Sequence, residues 1–301
     1  MTPVPIITSN MGEAWRRDAP GEWLEGWTPQ RATLEGGEAD YVEMGDGPPL
    51  VLLPPLPGFK EAYTRAARLL GRTHRVIVPD LRVRFAPGTT PDARWQVLVA
   101  DLERLCDHLR LGEVAVAGHS LGGALAQHWA LAHPARVRAL VLSSAFARVT
   151  SPPGGRVARW VEQPAVLAAQ RLLPRAAALA LAARLARRYG WVYDPGCDAA
   201  VLAFVRHAIR ACPVRAAADC VRLAFAHDTR ALLARLEAPV QLLVGEHDTA
   251  FARDAARDLL ARIPGAALDV SPGAGHLHPL SNPAWFAERI ARHASGAAAA
   301  R

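Results

Sequence analysis

Lysine is nearly absent from this 301-residue chain. Lys60 is the single lysine, and arginine supplies the rest of the basic residues behind the +7 formal charge. The arginines are dispersed through alanine- and leucine-rich stretches with no aromatic interleaving. That excludes the clustered basic face of a nucleic-acid binder and reads as a solvated surface. Cysteine is scarce as well. Cys106, Cys197, Cys212 and Cys220 have no C-x-x-C spacing and no companion histidine pattern. Neither a disulfide framework nor a metal site is expected from them; buried, reduced thiols are. No apolar run is long enough to span a bilayer, so no integral membrane segment is expected. The first ten residues lack a charged segment followed by an apolar core. No secretory signal is therefore expected, and a cytoplasmic location is.

What is present is a rhythm. The hydrophobic fraction of 51% suits a globular chain of this length, able to bury a large core. Arg31 to Leu34 and Ala39 to Glu43 alternate as a hairpin, with Gly36-Gly37 at its turn. Leu50 to Leu53 is a short, wholly apolar run, as a central parallel strand requires. Ala62 to Leu70 reads as a helix and Arg75 to Val78 as the next strand. Thr90 caps a helix over Pro91 to Leu111, with proline at the favoured first position. Strands follow at Val114 and at Arg138 to Ser143. Strands alternating with helices predict an α/β fold, a doubly wound and mostly parallel sheet.

The rhythm stops after Ala145 and returns at Pro239. Between them lies an Ala-, Leu- and Arg-rich segment broken by prolines, which predicts four or five short helices forming a cap. Its apolar run from Ala176 to Arg188 suits the lining of a pocket, or less well a membrane-facing surface. Strands are predicted at Pro239 to Val244 and Ala267 to Val270, with helices over Phe251 to Ile263 and Pro283 to Arg292. The organisation read from this is an N-terminal arm (1–30), a core (31–147 and 237–295), a helical cap insertion (148–236) and a flexible tail (296–301). Trp15, Trp23 and Trp27 predict that the arm packs on the body.

The stretch that organises the chain is Val114 to Gly123, containing Gly118-His119-Ser120-Leu121-Gly122. A G-x-S-x-G between a strand and a helix is a turn too tight for side chains, with the serine at its apex in a strained conformation. A lone G-x-S-x-G can also be a serine in a glycine-rich turn, so the partners matter. A serine hydroxyl needs a base within hydrogen-bond reach, and the base needs a carboxylate to hold its tautomer. Asp248 and His276 both follow the C-terminal ends of predicted strands, the edge where functional groups gather in an open parallel sheet. The glycine before His276 favours it over His278, which is read as a neighbour at the pocket mouth. Asp248 also fits a helix N-cap. Asp228 lies on a helical stretch with no strand before it and is set aside. His207 and His227 are read as facing solvent or satisfying the cap, with no metal-ligand spacing between them.

The order Ser, Asp, His, together with Glu38 to Leu53, Pro79-Asp80-Leu81-Arg82, Val244 to Asp248 and Gly273 to His276, resembles the alpha/beta-hydrolase fold family. The resemblance runs from about Arg31 to Arg292, less the cap. It implies Ser120 as nucleophile, His276 as general base and acid, and Asp248 as the acid that orients it. It further implies an oxyanion hole from the N–H groups of Leu56 and Leu121, with Pro55 and His119 beside the substrate. Two features depart from the family pattern. Pro54-Pro55 stands where His-Gly is usual, and Val83-Arg84-Phe85 stands where Gly-x-Gly is common. The expected reaction is hydrolysis of a small apolar ester or related acyl bond without metal or cofactor. Thioester or carbon–carbon bond hydrolysis on the same triad, or a hydrolase fold that only binds a ligand or partner, are the alternatives. An aspartate nucleophile, which an epoxide hydrolase or dehalogenase would need, is not at position 120. The oligomeric state is left open.

Overall fold

The computed structural model describes residues 17, 19–55, 58–82, 85–86, 88–149, 177, 197–212 and 214–299. Eight strands form one sheet in the order β1-β2-β4-β3-β5-β6-β7-β8. They are β1 (Pro29–Leu34), β2 (Gly37–Met44), β3 (Pro49–Leu53), β4 (Arg75–Pro79), β5 (Val114–His119), β6 (Val137–Ser143), β7 (Val240–Gly245) and β8 (Ala267–Ser271). β2 runs antiparallel to both β1 and β4, and every other pairing is parallel. The hairpin turn is Glu35-Gly36, because Leu34 pairs with Gly37; the turn expected at Gly36-Gly37 shifts by one residue.

Alternation along the buried strands sorts the core into two layers. Val51, Leu53, Val114, Val116, Leu140 and Leu142 face one side. There they meet α2 (Pro91–His108), α3 (Leu121–Ala132) and α6 (Ala250–Arg262), through Leu98, Leu102, Ala124, Leu125 and Leu259. Leu50, Leu52, Ala115, Ala117, Ala139 and Val141 face the other side. There α1 (Thr64–Leu70) and α7 (Pro283–Ala299) cover them, through Ala66, Leu70, Phe286 and Ile290. Burial on both faces is why these strands are continuous apolar runs and not alternating ones.

Helix ends depart from expectation for local reasons. α2 keeps the predicted cap, with Thr90 Oγ1 accepting from Ala93 N, but stops at His108 and not at Leu111. Arg110 adopts φ 53° and Leu111 N donates to Cys106 O, a left-handed turn that ends the helix. A 3-10 turn at Lys60–Tyr63 precedes α1, where a single helix from Ala62 was expected. α7 runs through the alanines to Ala299, past Arg292. Alanine propensity carries it across the predicted tail.

Of the predicted cap, α4 (Ala199–Ala211) and α5 (Val214–Ala226) are described. The run from Ala176 to Arg188 lies outside the described residues, apart from Ala177. Cys197 and Cys212 are half-buried, where burial of all four thiols was expected; Cys106 and Cys220 are buried. In the arm, Trp23 is buried with Phe59, Val201, Phe204 and Leu280, and Trp27 packs with Val42 and Tyr63. Trp15 lies outside the described residues.

Candidate active site

The parallel strands end together, so the residues just past β3, β5, β6, β7 and β8 share one edge. The chain moves from β3 to β4 on one side and then to β5 on the other. In a doubly wound sheet the crevice beyond such a reversal is where ligands bind. Ser120 stands there. Its backbone is at φ 53°, ψ −117°, a region that non-glycine residues rarely occupy. Ser120 N donates to Ser143 O at 2.8 Å, extending the β5–β6 ladder, and Gly123 N donates to Ser120 O to start α3. Close packing explains both flanking glycines. A Cβ on Gly118 would lie 2.3 Å from Gly122 O, and one on Gly122 would lie 2.1 Å from Leu53 O. The Ser120 hydroxyl makes no capping bond to α3. The N–H of Leu121 begins that helix, where the first N–H groups have no intrahelical acceptor.

Asp248 follows β7 and His276 follows β8. The loops that carry them are tied by His247 N donating to Ala274 O at 2.8 Å and Glu246 N to Ser271 O at 3.0 Å. His276 Nδ1 lies 2.9 Å from Asp248 Oδ1. Thr249 N donates to the same oxygen at 2.7 Å, and Ser144 Oγ donates to Asp248 Oδ2 at 2.6 Å. Asp248 is buried. Burial alone would push its carboxyl up, but the facing His276 and the hydrogen bonds from His276 and Ser144 outweigh it and hold the carboxyl well below the usual range. Its side chain is thus an anion that accepts from the imidazole and does not cap the following helix; Thr249 does that, accepting from Ala252 N.

Other predicted residues stand differently. His278 is fully buried, not at a pocket mouth, and its Nε2 lies 2.6 Å from Ser143 Oγ. Ser143 Oγ also lies 2.9 Å from Nδ1 of His119. His119 is 1% exposed and stacks obliquely between His276 and His278 at ring distances of 4.9 and 5.3 Å. Burial, and then the two neighbouring imidazoles, push His119 far down, so it is neutral. A side chain so covered backs His276 and does not line an open pocket. His227 does not face solvent either. It is buried, and its Nε2 donates to Phe146 O at 2.9 Å. Asp228 is exposed and paired with Arg230 and Arg148, whose contacts push its carboxyl down to about 2. Leu56 lies outside the described residues. Pro55 beside it is half-buried, and its carbonyl accepts from Gly58 N.

A narrow apolar crevice, with room for about one water, lies beside Leu121. Leu81, Trp95, Leu98, Leu125, Cys220 and Leu223 line it, so α2, α3 and α5 each contribute a wall. Arg82 also borders it, but its guanidinium is held two-pronged by Asp101 at 2.6 and 3.0 Å. Sequence reasoning missed Ser143, Ser144 and this ion pair. Two consecutive serines at the C-terminal end of a predicted strand were the available signal for the first two.

Residues 48–283 match the alpha/beta hydrolase fold family. A pimeloyl-[acyl-carrier protein] methyl ester esterase from Chromobacterium violaceum is 29% identical, over 84% of this chain and 97% of the esterase. A cis-3-alkyl-4-alkyloxetan-2-one decarboxylase from Xanthomonas campestris is 33% identical over 40% of this chain; the chain spans only 45% of that relative. A 2-hydroxy-6-oxo-2,4-heptadienoate hydrolase from Pseudomonas putida is 34% identical over 45% of this chain and 51% of its own length. Among solved structures, a thermophilic esterase from Thermogutta terrifontis superposes with a TM-score of 0.71 at 25% identity, covering 90% of this chain and 99% of the esterase.

Proposed function

The chain belongs to the alpha/beta hydrolase fold family, and from that premise we propose that it cleaves a carboxylic ester or related acyl bond through Ser120, His276 and Asp248. The carrying observation is the 2.9 Å bond from His276 Nδ1 to a buried, ionised Asp248, at the same sheet edge as the strained Ser120. With Nδ1–H fixed by Asp248, His276 Nε2 is left as the basic nitrogen. It takes the Ser120 proton as Oγ attacks the carbonyl carbon. The oxyanion is held by Leu121 N–H and, from the loop after β3, Leu56 N–H. His276 then protonates the leaving alcohol, and a water activated by the same nitrogen releases the acyl group. Asp248 stays ionised and stabilises the imidazolium. Neutral His119 behind the ring places no opposing positive charge there.

The cleft beside Leu121 supports an apolar acyl or alcohol group, with α4 and α5 as part of a cap that closes over Ser120. The relative from Chromobacterium violaceum is named for a methyl ester, in line with this reading. The Pseudomonas putida relative is named for a dienoate, which bears a carboxylate. Here the cleft-side Arg82 is already neutralised by Asp101, so an uncharged ester is the better fit. Among the described residues no helix is long and apolar enough to cross a membrane. The four cysteines form no disulfide, which suits a reducing compartment, and we place the protein in the cytoplasm.

The test is Ser120→Ala. The folded variant should lose p-nitrophenyl ester turnover and fluorophosphonate labelling, with the wild-type label mapping to Ser120. Near wild-type turnover by folded Ser120→Ala would sink the assignment.

A further inference from the structure

β6 ends at Ser143 and Ser144 follows it, and the two hydroxyls do different work. Ser143 bonds the buried histidines His119 and His278. Ser144 turns the other way, toward Asp248. Resting on the proposed triad, we propose that Ser144 is a positioning residue for Asp248. Its hydroxyl locks the rotation of the carboxylate so that Oδ1 faces His276.

Three observations carry this. The first is how the donors divide. Oδ1 receives His276 Nδ1 and Thr249 N, at 2.9 and 2.7 Å, while Oδ2 receives Ser144 Oγ at 2.6 Å. Without a donor on Oδ2, rotation about the last side-chain bond would exchange the two oxygens and loosen the imidazole. The second is burial. Ser144 and Asp248 are each 2% exposed, so solvent is poorly placed to take over from the hydroxyl. A buried oxygen that loses its donor is a costly vacancy. The third is the backbone. Ser144 sits at φ 43°, in the left-handed region that a non-glycine residue enters only when held. It is held by Ser144 N donating to Leu243 O at 2.7 Å, which ties the residue to β7, the strand leading to Asp248. Strain of this kind collects where a side chain must be aimed.

Ser144→Gly and Ser144→Ala separate aim from strain. Both remove the donor, and glycine also relieves the backbone. Ser144→Asn tolerates positive φ and returns an N–H donor. The expected result is that Ser144→Gly and Ser144→Ala lower kcat about tenfold with KM within about twofold, a fraction of what general base catalysis contributes. The acid limb of kcat/KM should move to lower pH, because a carboxylate free to rotate stabilises the imidazolium less. Ser144→Asn should recover kcat and return the limb toward its wild-type position.

A second measurement is independent of substrate. The downfield proton resonance of His276 Nδ1–H should shift or broaden in Ser144→Gly and sharpen again in Ser144→Asn. An unmoved acid limb and an unmoved resonance in a folded Ser144→Gly protein would overturn the proposal, even if activity fell. Loss of activity tracking loss of melting temperature alone would overturn it too. Failure of the underlying hydrolase reading is seen separately, as wild-type protein that does not label at Ser120, and it takes the positioning role down with it.

Discussion

At the scale of single residues, two histidines two positions apart have opposite surroundings. His276 meets Asp248 with its ring partly open, whereas His278 is fully buried on Ser143. Their alanine variants should therefore fail differently. His276→Ala should keep the wild-type melting temperature and lose on the order of a thousandfold or more in turnover, as triad members do when removed. His278→Ala should leave Ser143 Oγ short of a buried partner and destabilise by about 1–3 kcal/mol, while retaining most of its turnover at low temperature. Paired thermal melts and ester kinetics check both; a stable, inactive His278→Ala would reverse the assignment.

At the scale of elements, buried polar contacts fasten the end of α5 and the loops to the body. His227 follows the end of α5, and its Nε2–H is committed to Phe146 O; its Nδ1 must then accept from His128 Nε2, 3.1 Å away on α3. Trp95 of α2 stacks on His128 at 4.4 Å. Burial pushes His128 down to about 4, against a smaller opposing pull from Asp92. Burial and then His128 push His227 down to about 3, against Phe146 O and Asp228. In the unfolded chain both titrate near 6.5. Between those values the unfolded state binds protons that the folded state refuses, so the pair's contribution is complete above pH 6.5 and is lost as pH falls toward 4 and 3. Melting temperature should drop over that window, and His128→Leu should flatten the slope. Thermal melts across pH 7.5 to 4 test this.

The loop after β3 has its own fastening. The sole lysine is buried, with Lys60 Nζ 2.6 Å from Asp80 and 3.0 Å from Glu61, while Lys60 N donates to the other Asp80 oxygen at 2.8 Å. Burial pulls the ammonium down, but the two carboxylates more than offset it, so it remains charged. Lys60→Met would leave both acids buried without their cation, a loss of about 3–5 kcal/mol. In the wild type an amine acylating reagent should spare Lys60 until denaturant is added, as peptide mass mapping would read.

At the scale of the whole molecule, the proposed function puts the substrate between core and cap. The cleft walls are aliphatic and aromatic, with Cys220 and Leu223 supplied by α5. On α4 and α5, Arg206, Arg210 and Arg222 are exposed. Apolar walls discriminate by about 1–3 kcal/mol per methylene-sized change. A p-nitrophenyl ester series should therefore give graded kcat/KM with acyl length, and Leu223→Trp should shift the optimum to shorter chains. Cleavage of acetyl esters alone, with no gain on lengthening, would argue against the cleft as the acyl site.

The strands of the sheet, the strained turn at Ser120, and two loops ending in Asp248 and His276 are legible in the sequence. Those features rest on signals within a few residues: apolar runs, glycines flanking a serine, turn residues after a strand. The structure decided what depended on residues far apart in the chain. Ser144 meets Asp248 across 104 positions, Ser143 meets His278 across 135, and His128 meets His227 across 99. No local pattern specifies such a pairing, because each partner alone is an ordinary polar residue. The end of α2 belongs with them, since nothing near Arg110 announces a left-handed turn. Packing between distant parts of the chain settled which polar groups would be buried, and a buried polar group must find its partner wherever the fold has placed one.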